Sequence, residues 1–336
     1  MIHEFAVEPE LLRRWTSRQA LAFFVQTVGL GTPRVLAALP SAVEWRRAAL
    51  KDLDSLSQND QLRLTTLVEH LSRLTSLRTP INVDPLKWPS SALAEHARRS
   101  LQPIICVEAG GAACTEDVIW DDLPPWKASM SRVVSRDPDA LVNMLGPLLR
   151  AAKEFVLVDP HFEPRRSGAG DWFTATLERI VSAVVAQRAD AEKPGRIEVL
   201  TGREVDGQAL HQSLDSVLPS GTRVKVVRYW SAAGGDKDHN RYILTELGGV
   251  GVITGLDVGG ASEKLKHTDD LHVLSREMYE KRYAQYVWRN TNDFEFKDVT
   301  TLVGVRGLAS TVSEGDDQRR RGAGVKNAAI RRRGPR

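Results

Sequence analysis

The residues best placed to do chemistry are His239 and Arg241, which sit two apart in the run Asp238-His239-Asn240-Arg241-Tyr242. On an extended strand, residues at that spacing share a face, so an imidazole and a guanidinium stand side by side. That pair suits a phosphodiester. A neutral imidazole can attack phosphorus to give a phosphohistidine, while the fixed positive charge holds the non-bridging oxygens and stabilises the charge of the transition state. The scheme needs no metal and no cofactor. It does need an acid on the far ring nitrogen of the nucleophile, to fix its tautomer. It also needs a second proton donor for the leaving oxygen.

The elements that must position this pair follow from periodicity. A helical segment over 138–151 precedes the apolar run Phe155–Val158, the amphipathic stretch 171–189 precedes Ile197–Leu200, and 206–217 precedes Val224–Val227. That alternation predicts βαβ units and a largely parallel sheet with helices on its faces. Arg241–Thr245 and Val250–Thr254, separated by Glu246-Leu247-Gly248-Gly249, predict an antiparallel hairpin. A short strand over 271–274 and a helix over 276–292 follow. In an open α/β sheet, ligands bind beyond the carboxyl ends of the strands. Three polar clusters fall there: Asp159-Pro160-His161-Phe162, Thr201-Gly202-Arg203-Glu204, and the group around the hairpin.

His239-x-Arg241-x-x-x-x-Glu246, followed by Thr254-Gly255, resembles the HKD signature of the phospholipase D superfamily. Upstream, the runs Val156–Phe162 and Val199–Gly202 resemble bacterial members of that superfamily, and the likeness spans roughly residues 138–292. The resemblance implies a phospholipase D-like mixed sheet flanked by helices and a metal-independent phosphodiesterase. It implies His239, Arg241 and Glu246 as catalytic residues, with Asp269 or Asp270 as the carboxylate behind the histidine. Phosphate or substrate contacts would come from Thr254, Gly255 and Asp257, from Ser262 and Lys264 beyond them, and from His161. The sequence departs from the signature at three points: Arg241 stands for lysine, Glu246 for aspartate, and Thr254-Gly255-Leu256-Asp257 for a Gly-Ser-x-Asn element. Arginine keeps the charge and changes its size and hydrogen-bond geometry. His161 follows an Asp-Pro turn start and reads first as a packing position.

With one copy of the motif, the second histidine must come from elsewhere. Single-motif chains of this superfamily resemble obligate dimers, so a homodimer with a composite site is expected, closed about a two-fold axis. Nucleic acid is the expected substrate. Two other readings stand beside it: a degenerate member that binds nucleic acid or a partner protein without cleaving, and a phosphodiesterase of phospholipids or small phosphodiesters. Chains of this layout resemble accessory components of bacterial genome-defence operons.

The remainder of the 336-residue chain sets the frame. Hydrophobic residues make up 42% and charged residues 26%, values of an ordinary globular protein. Apolar residues recur at three and four through Leu11–Val28 and Leu62–Leu74, which predicts an all-α N-terminal region over 1–101 that could contact a partner protein. The α/β domain is expected over 102–305. A tail over 306–336 carries Arg319–Arg321 and Arg331–Arg333; it is expected to be disordered and to attract polyanions. No apolar run reaches the length of a membrane span and the N-terminus carries acids where a signal peptide carries bases, so a cytoplasmic protein without membrane association is expected. Cys106 and Cys114 match no zinc spacing, and no metal site is expected.

Overall fold

The computed structural model describes residues 2–73, 75–76, 87–163, 172–186, 194–237, 239–257 and 267–306. Two sheets organise them. The first has four strands in the order β2 (Arg34–Leu36), β1 (His3–Val7), β3 (Ile104–Ile105) and β4 (Ala113–Cys114), all parallel. Helices α1 (Arg18–Thr27), α2 (Ala42–Ala49) and α3 (Gln58–Arg73) supply the apolar stripes read from the sequence; α4 (Trp88–Arg98) and α5 (Asp117–Trp120) complete this part. Ser17 and Ser41 cap α1 and α2 by accepting from the backbone N–H three residues on, which satisfies donors that a helix start leaves free.

The expectation of an all-α N-terminal region is thereby corrected. It is an α/β arrangement whose sheet takes strands from both sides of residue 102, so the sheet crosses the boundary expected there. The physical reason is burial on both faces. Phe5, Ala6 and Val7 are all buried, and such a strand shows no alternation of apolar and polar residues. Strands of two or three residues carry too little pattern to register at all.

The second sheet has eight strands, in the order β12 (Phe294–Val303), β8 (Arg223–Ser231), β7 (Arg196–Thr201), β6 (Glu154–Val158), β9 (Arg241–Thr245), β10 (Gly248–Val252), β11 (Thr268–Val273) and β5 (Ser131–Ser135). β6, β7 and β8 are parallel, as the βαβ spacing predicts; β9, β10, β11 and β5 continue antiparallel. β5 and β12 are the two edge strands, and the sequence reading assigned neither.

Alternation along each strand builds two cores. Phe155, Leu157, Val199, Val226 and Ile243 face α6 (Pro138–Ala151), α7 (Trp172–Val185) and α8 (Gly207–Leu214), meeting Leu145, Leu148, Ile180, Val181 and Leu214. Val156, Val158, Leu200, Tyr242 and Leu244 face α9 (Arg276–Tyr286), whose Tyr279, Tyr283 and Tyr286 recur at helical spacing. α9 is shorter than the 276–292 expected. It ends before Arg289, whose left-handed φ of 56° breaks the helix. Where β10 crosses β11, Gly251 lies opposite His272, and a Cβ at Gly251 would fall 2.2 Å from the imidazole. Glycine is needed there for the ring to lie flat on the strand.

Candidate functional site

The topology brings the polar clusters to one edge. Because β9 runs against β6, its first residues lie beside the last of β6, with Val158 opposite Tyr242. Val252, at the end of β10, lies opposite both Arg241 and Leu271, so the start of β11 joins the same edge. The connections then place the starts of α6 and α8 there as well. Asp137 caps α6 and Asp206 caps α8, each accepting backbone N–H bonds.

Two buried carboxylates hold this edge together. Asp159 continues the helix-facing alternation of β6; its Oδ1 accepts from His161 N at 2.9 Å and its Oδ2 from Leu256 N at 3.3 Å. Burial pushes its carboxyl above the usual range, against the His161 N–H, the Arg241 charge and the Leu256 N–H, which lower it. Asp269 accepts from Thr254 N at 3.0 and 3.1 Å, Thr254 Oγ1 at 3.1 Å, Gly255 N at 3.2 Å and Asp270 N at 2.8 Å. The turn from Thr254 to Asp257 is thus fastened by one carboxylate from β6 and another from β11.

Arg241 lies across that turn. Its Nη1 donates to the Ile253 carbonyl at 3.1 Å, its Nε stands 3.6 Å from Asp159 Oδ1, and 17% of its side chain is exposed. Gly255 makes this possible. A Cβ there would come within 3.2 Å of Arg241 Nε and 3.0 Å of Asp257 Oδ1, and its φ of 135° is one that few side chains adopt. Asp257 is occupied by Arg136, whose Nη2 bonds both its carboxylate and, at 2.9 Å, its carbonyl oxygen. His239 is exposed at the approach to β9, and no other described residue hydrogen-bonds its ring. His161 is exposed on the neighbouring loop, near enough to Asp159 to lower that carboxyl's pKa.

The structure therefore brings together Arg241, Thr254, Gly255, Asp257 and Asp269, with His239 and His161 exposed at the same edge. It does not bring Glu246 or Asp270 into this group. Glu246 stands beyond the other end of β9, five residues from Arg241 and so about 17 Å away at strand rise. There it accepts the N–H of Lys153 at 2.6 Å and of Glu154 at 2.9 Å, closing the start of β6. Asp270 is exposed and points to the opposite face of β11 from Asp269. Ser262 and Lys264 lie outside the described residues, as does the basic tail beyond residue 306. Among the described residues no three His, Cys, Asp or Glu side chains converge as a metal-binding group. No helix among them is long and apolar enough to cross a membrane.

Two residues of the site were not singled out by sequence. Arg136 reads as the lead into a helix, and nothing local marks its pairing with Asp257, 121 positions later. Asp159 falls at a strand's carboxyl end, a signal that was legible, yet Asp-Pro explains itself as a turn start. Only its contact with Arg241 sets it apart.

No family model matches the chain, and no curated protein matches it. Among solved structures, one similar chain is TrmBL2, an archaeal chromatin protein whose structure is described as showing a novel mode of DNA binding. The two are 11% identical over 84% of this chain and 96% of that one, with a TM-score of 0.27. Likeness at that level carries no argument about this chain.

Proposed function

We propose that this chain is a phospholipase D-like phosphodiesterase acting on nucleic acid, with His239 as nucleophile and Arg241 as the phosphate-holding cation. The observation that carries the reading is the setting of Arg241. Its guanidinium is positioned by the Ile253 carbonyl, Asp159 and the Gly255 turn at the carboxyl edge, while His239, two residues earlier, stands exposed to an incoming substrate. A cation so fixed is preorganised for charge that develops on phosphorus oxygens.

In the reaction, an imidazole nitrogen of His239 forms a bond to phosphorus as the bond from phosphorus to one ester oxygen breaks. That oxygen leaves with a proton from an acid, for which His239 of a second copy of the chain is the proposed source. Water then attacks phosphorus as its bond to the His239 nitrogen breaks, giving its proton to the imidazole that served as the acid in the first step, and the phosphomonoester departs. Arg241 carries the non-bridging oxygens through both steps.

A second reading, a binding module that cleaves nothing, is favoured by one specific observation. The carboxylate expected behind the histidine, Asp269, directs its oxygens to the Thr254 and Gly255 N–H groups, the Thr254 hydroxyl and the Asp270 N–H. The test that separates the readings is cleavage of labelled single- and double-stranded DNA and RNA in EDTA, comparing wild type with His239→Ala. Cleavage that survives EDTA and disappears in the variant is the expected result. An inactive wild type that still binds in a salt-sensitive manner would establish the binding module instead.

A further inference from the structure

The helix-facing side of the same edge continues past the histidine and arginine to β8, where it carries a feature that the proposed chemistry does not use. Val224 and Val226 face α6–α8, so Arg228 and Trp230, next in the alternation, lie on that side at the strand's carboxyl end. Arg228 pairs across the sheet with Thr201 at the end of β7, and its guanidinium stands over the Trp230 ring at 5.4 Å. Trp15, Trp45, Trp88 and Trp120 all spend their indole N–H on a carboxylate or carbonyl. Trp230, like Trp126 and Trp288, has no such bond to any described residue, and it is half-buried at this edge rather than enclosed.

Between Trp230 and Arg241 the exposed acids of the edge are engaged, Glu204 with Arg228 at 2.8 Å and Asp206 as the cap of α8, and the other titratable side chains exposed there are basic. Arg203, beyond the end of β7, is exposed, and no other described residue bonds its side chain. His161 follows beyond β6, then Arg241 at the start of β9. From β8 to β9 is three strand spacings, roughly 14 Å. An aromatic ring backed by an arginine, set a few nucleotides' reach from a phosphate-holding cation with an unpaired arginine between, is the combination that holds an unstacked strand. The bases stack on the ring and the phosphates follow the cations.

We infer that Trp230 and Arg228 form a base-stacking subsite that makes single-stranded nucleic acid the preferred substrate of this edge, with Arg203 holding an intervening phosphate. The inference rests on the reading of His239 and Arg241 as the phosphodiester site. Duplex bases offer no free ring face to Trp230, so the subsite discriminates between the two forms.

The test is fluorescence anisotropy of the full chain carrying His239→Ala, so that cleavage does not consume the probe, with labelled oligothymidylate and oligouridylate of about 12 nucleotides and a duplex of equal length. Trp230→Ala is expected to weaken single-strand binding roughly 5- to 150-fold and duplex binding far less. Trp230→Phe, which keeps a ring, should recover most of the loss and guards against a folding defect. Arg203→Gln should lower the slope of log affinity against log salt by about one. Equal single-strand affinity for Trp230→Ala and its parent would overturn the subsite, whatever wild type does to its substrate. If the otherwise wild-type chain cleaves nothing while the Trp230 dependence persists, the catalytic reading fails and the subsite stands.

Discussion

Replacing Asp269 by asparagine separates two roles that one carboxylate cannot fill at once. In the structure its two oxygens receive the Thr254 N–H, the Thr254 hydroxyl, the Gly255 N–H and the Asp270 N–H. Asparagine retains one acceptor oxygen. If that oxygen takes the place of Oδ1, the amide NH2 faces the Gly255 N–H, a buried donor then left without an acceptor, at a cost of about 1–3 kcal/mol. The remaining bonds fall from charge-assisted to neutral, a loss of about 1 kcal/mol each, partly offset because a neutral amide is cheaper to bury than a carboxylate. A net loss of about 3 kcal/mol is expected, a large share of the stability of a typical domain. Urea unfolding followed by circular dichroism reads it as a shift in midpoint at unchanged slope. Asp270→Asn, at an exposed position, should change stability by less than about 0.5 kcal/mol. A loss below about 1 kcal/mol for Asp269→Asn, together with a collapse of phosphodiesterase turnover, would refute the anchoring role and return Asp269 to the histidine.

Two further outcomes concern residues away from that turn. Glu246→Ala leaves the Lys153 and Glu154 N–H groups without their carboxylate, and should cost about 1–2 kcal/mol in urea unfolding, since both lie near solvent; no measurable loss would show that water replaces the cap. His3, at the start of β1, has its pKa lowered to about 4, first by burial and then by neighbouring positive charge that includes Arg132 and Arg34. A base depressed in the folded state contributes stability that is present above its unfolded value near 6.5 and is lost as pH falls toward 4. Between pH 7.5 and 4.5, wild type should lose on the order of 2 kcal/mol more than His3→Gln; parallel pH profiles for the two would count against a neutral, half-buried His3.

How much was legible varies by element. The alternation of helix and apolar run marked β6, β7 and β8 with α6, α7 and α8, because βαβ units with strands of five or more residues repeat their pattern over a long stretch. The hairpin of β9 and β10 was legible from its glycines and flanking apolar runs. β5 and β12 were not, since edge strands bury only part of their length and Ser131–Ser135 is mostly exposed. β1 was lost for the opposite reason, being buried on both faces, and β2, β3 and β4 because they span only two or three residues.

What the sequence by itself determined is the local chemistry: an imidazole and a guanidinium two residues apart, and the apolar rhythm that makes the strand beginning at Arg241 part of an α/β sheet. Covalent spacing and side-chain periodicity suffice for that. Tertiary structure alone decided which acids stand near them. Asp159, Arg241, Gly255, Asp257, Asp269 and Arg136 come from five different stretches of chain, and they meet because β9 turns back beside β6 and carries β10 and β11 with it. Glu246 and Asp270 illustrate the converse. One lies five residues along the strand and the other one residue out of phase, and strand rise and side-chain alternation carry both out of the group that their sequence neighbours form.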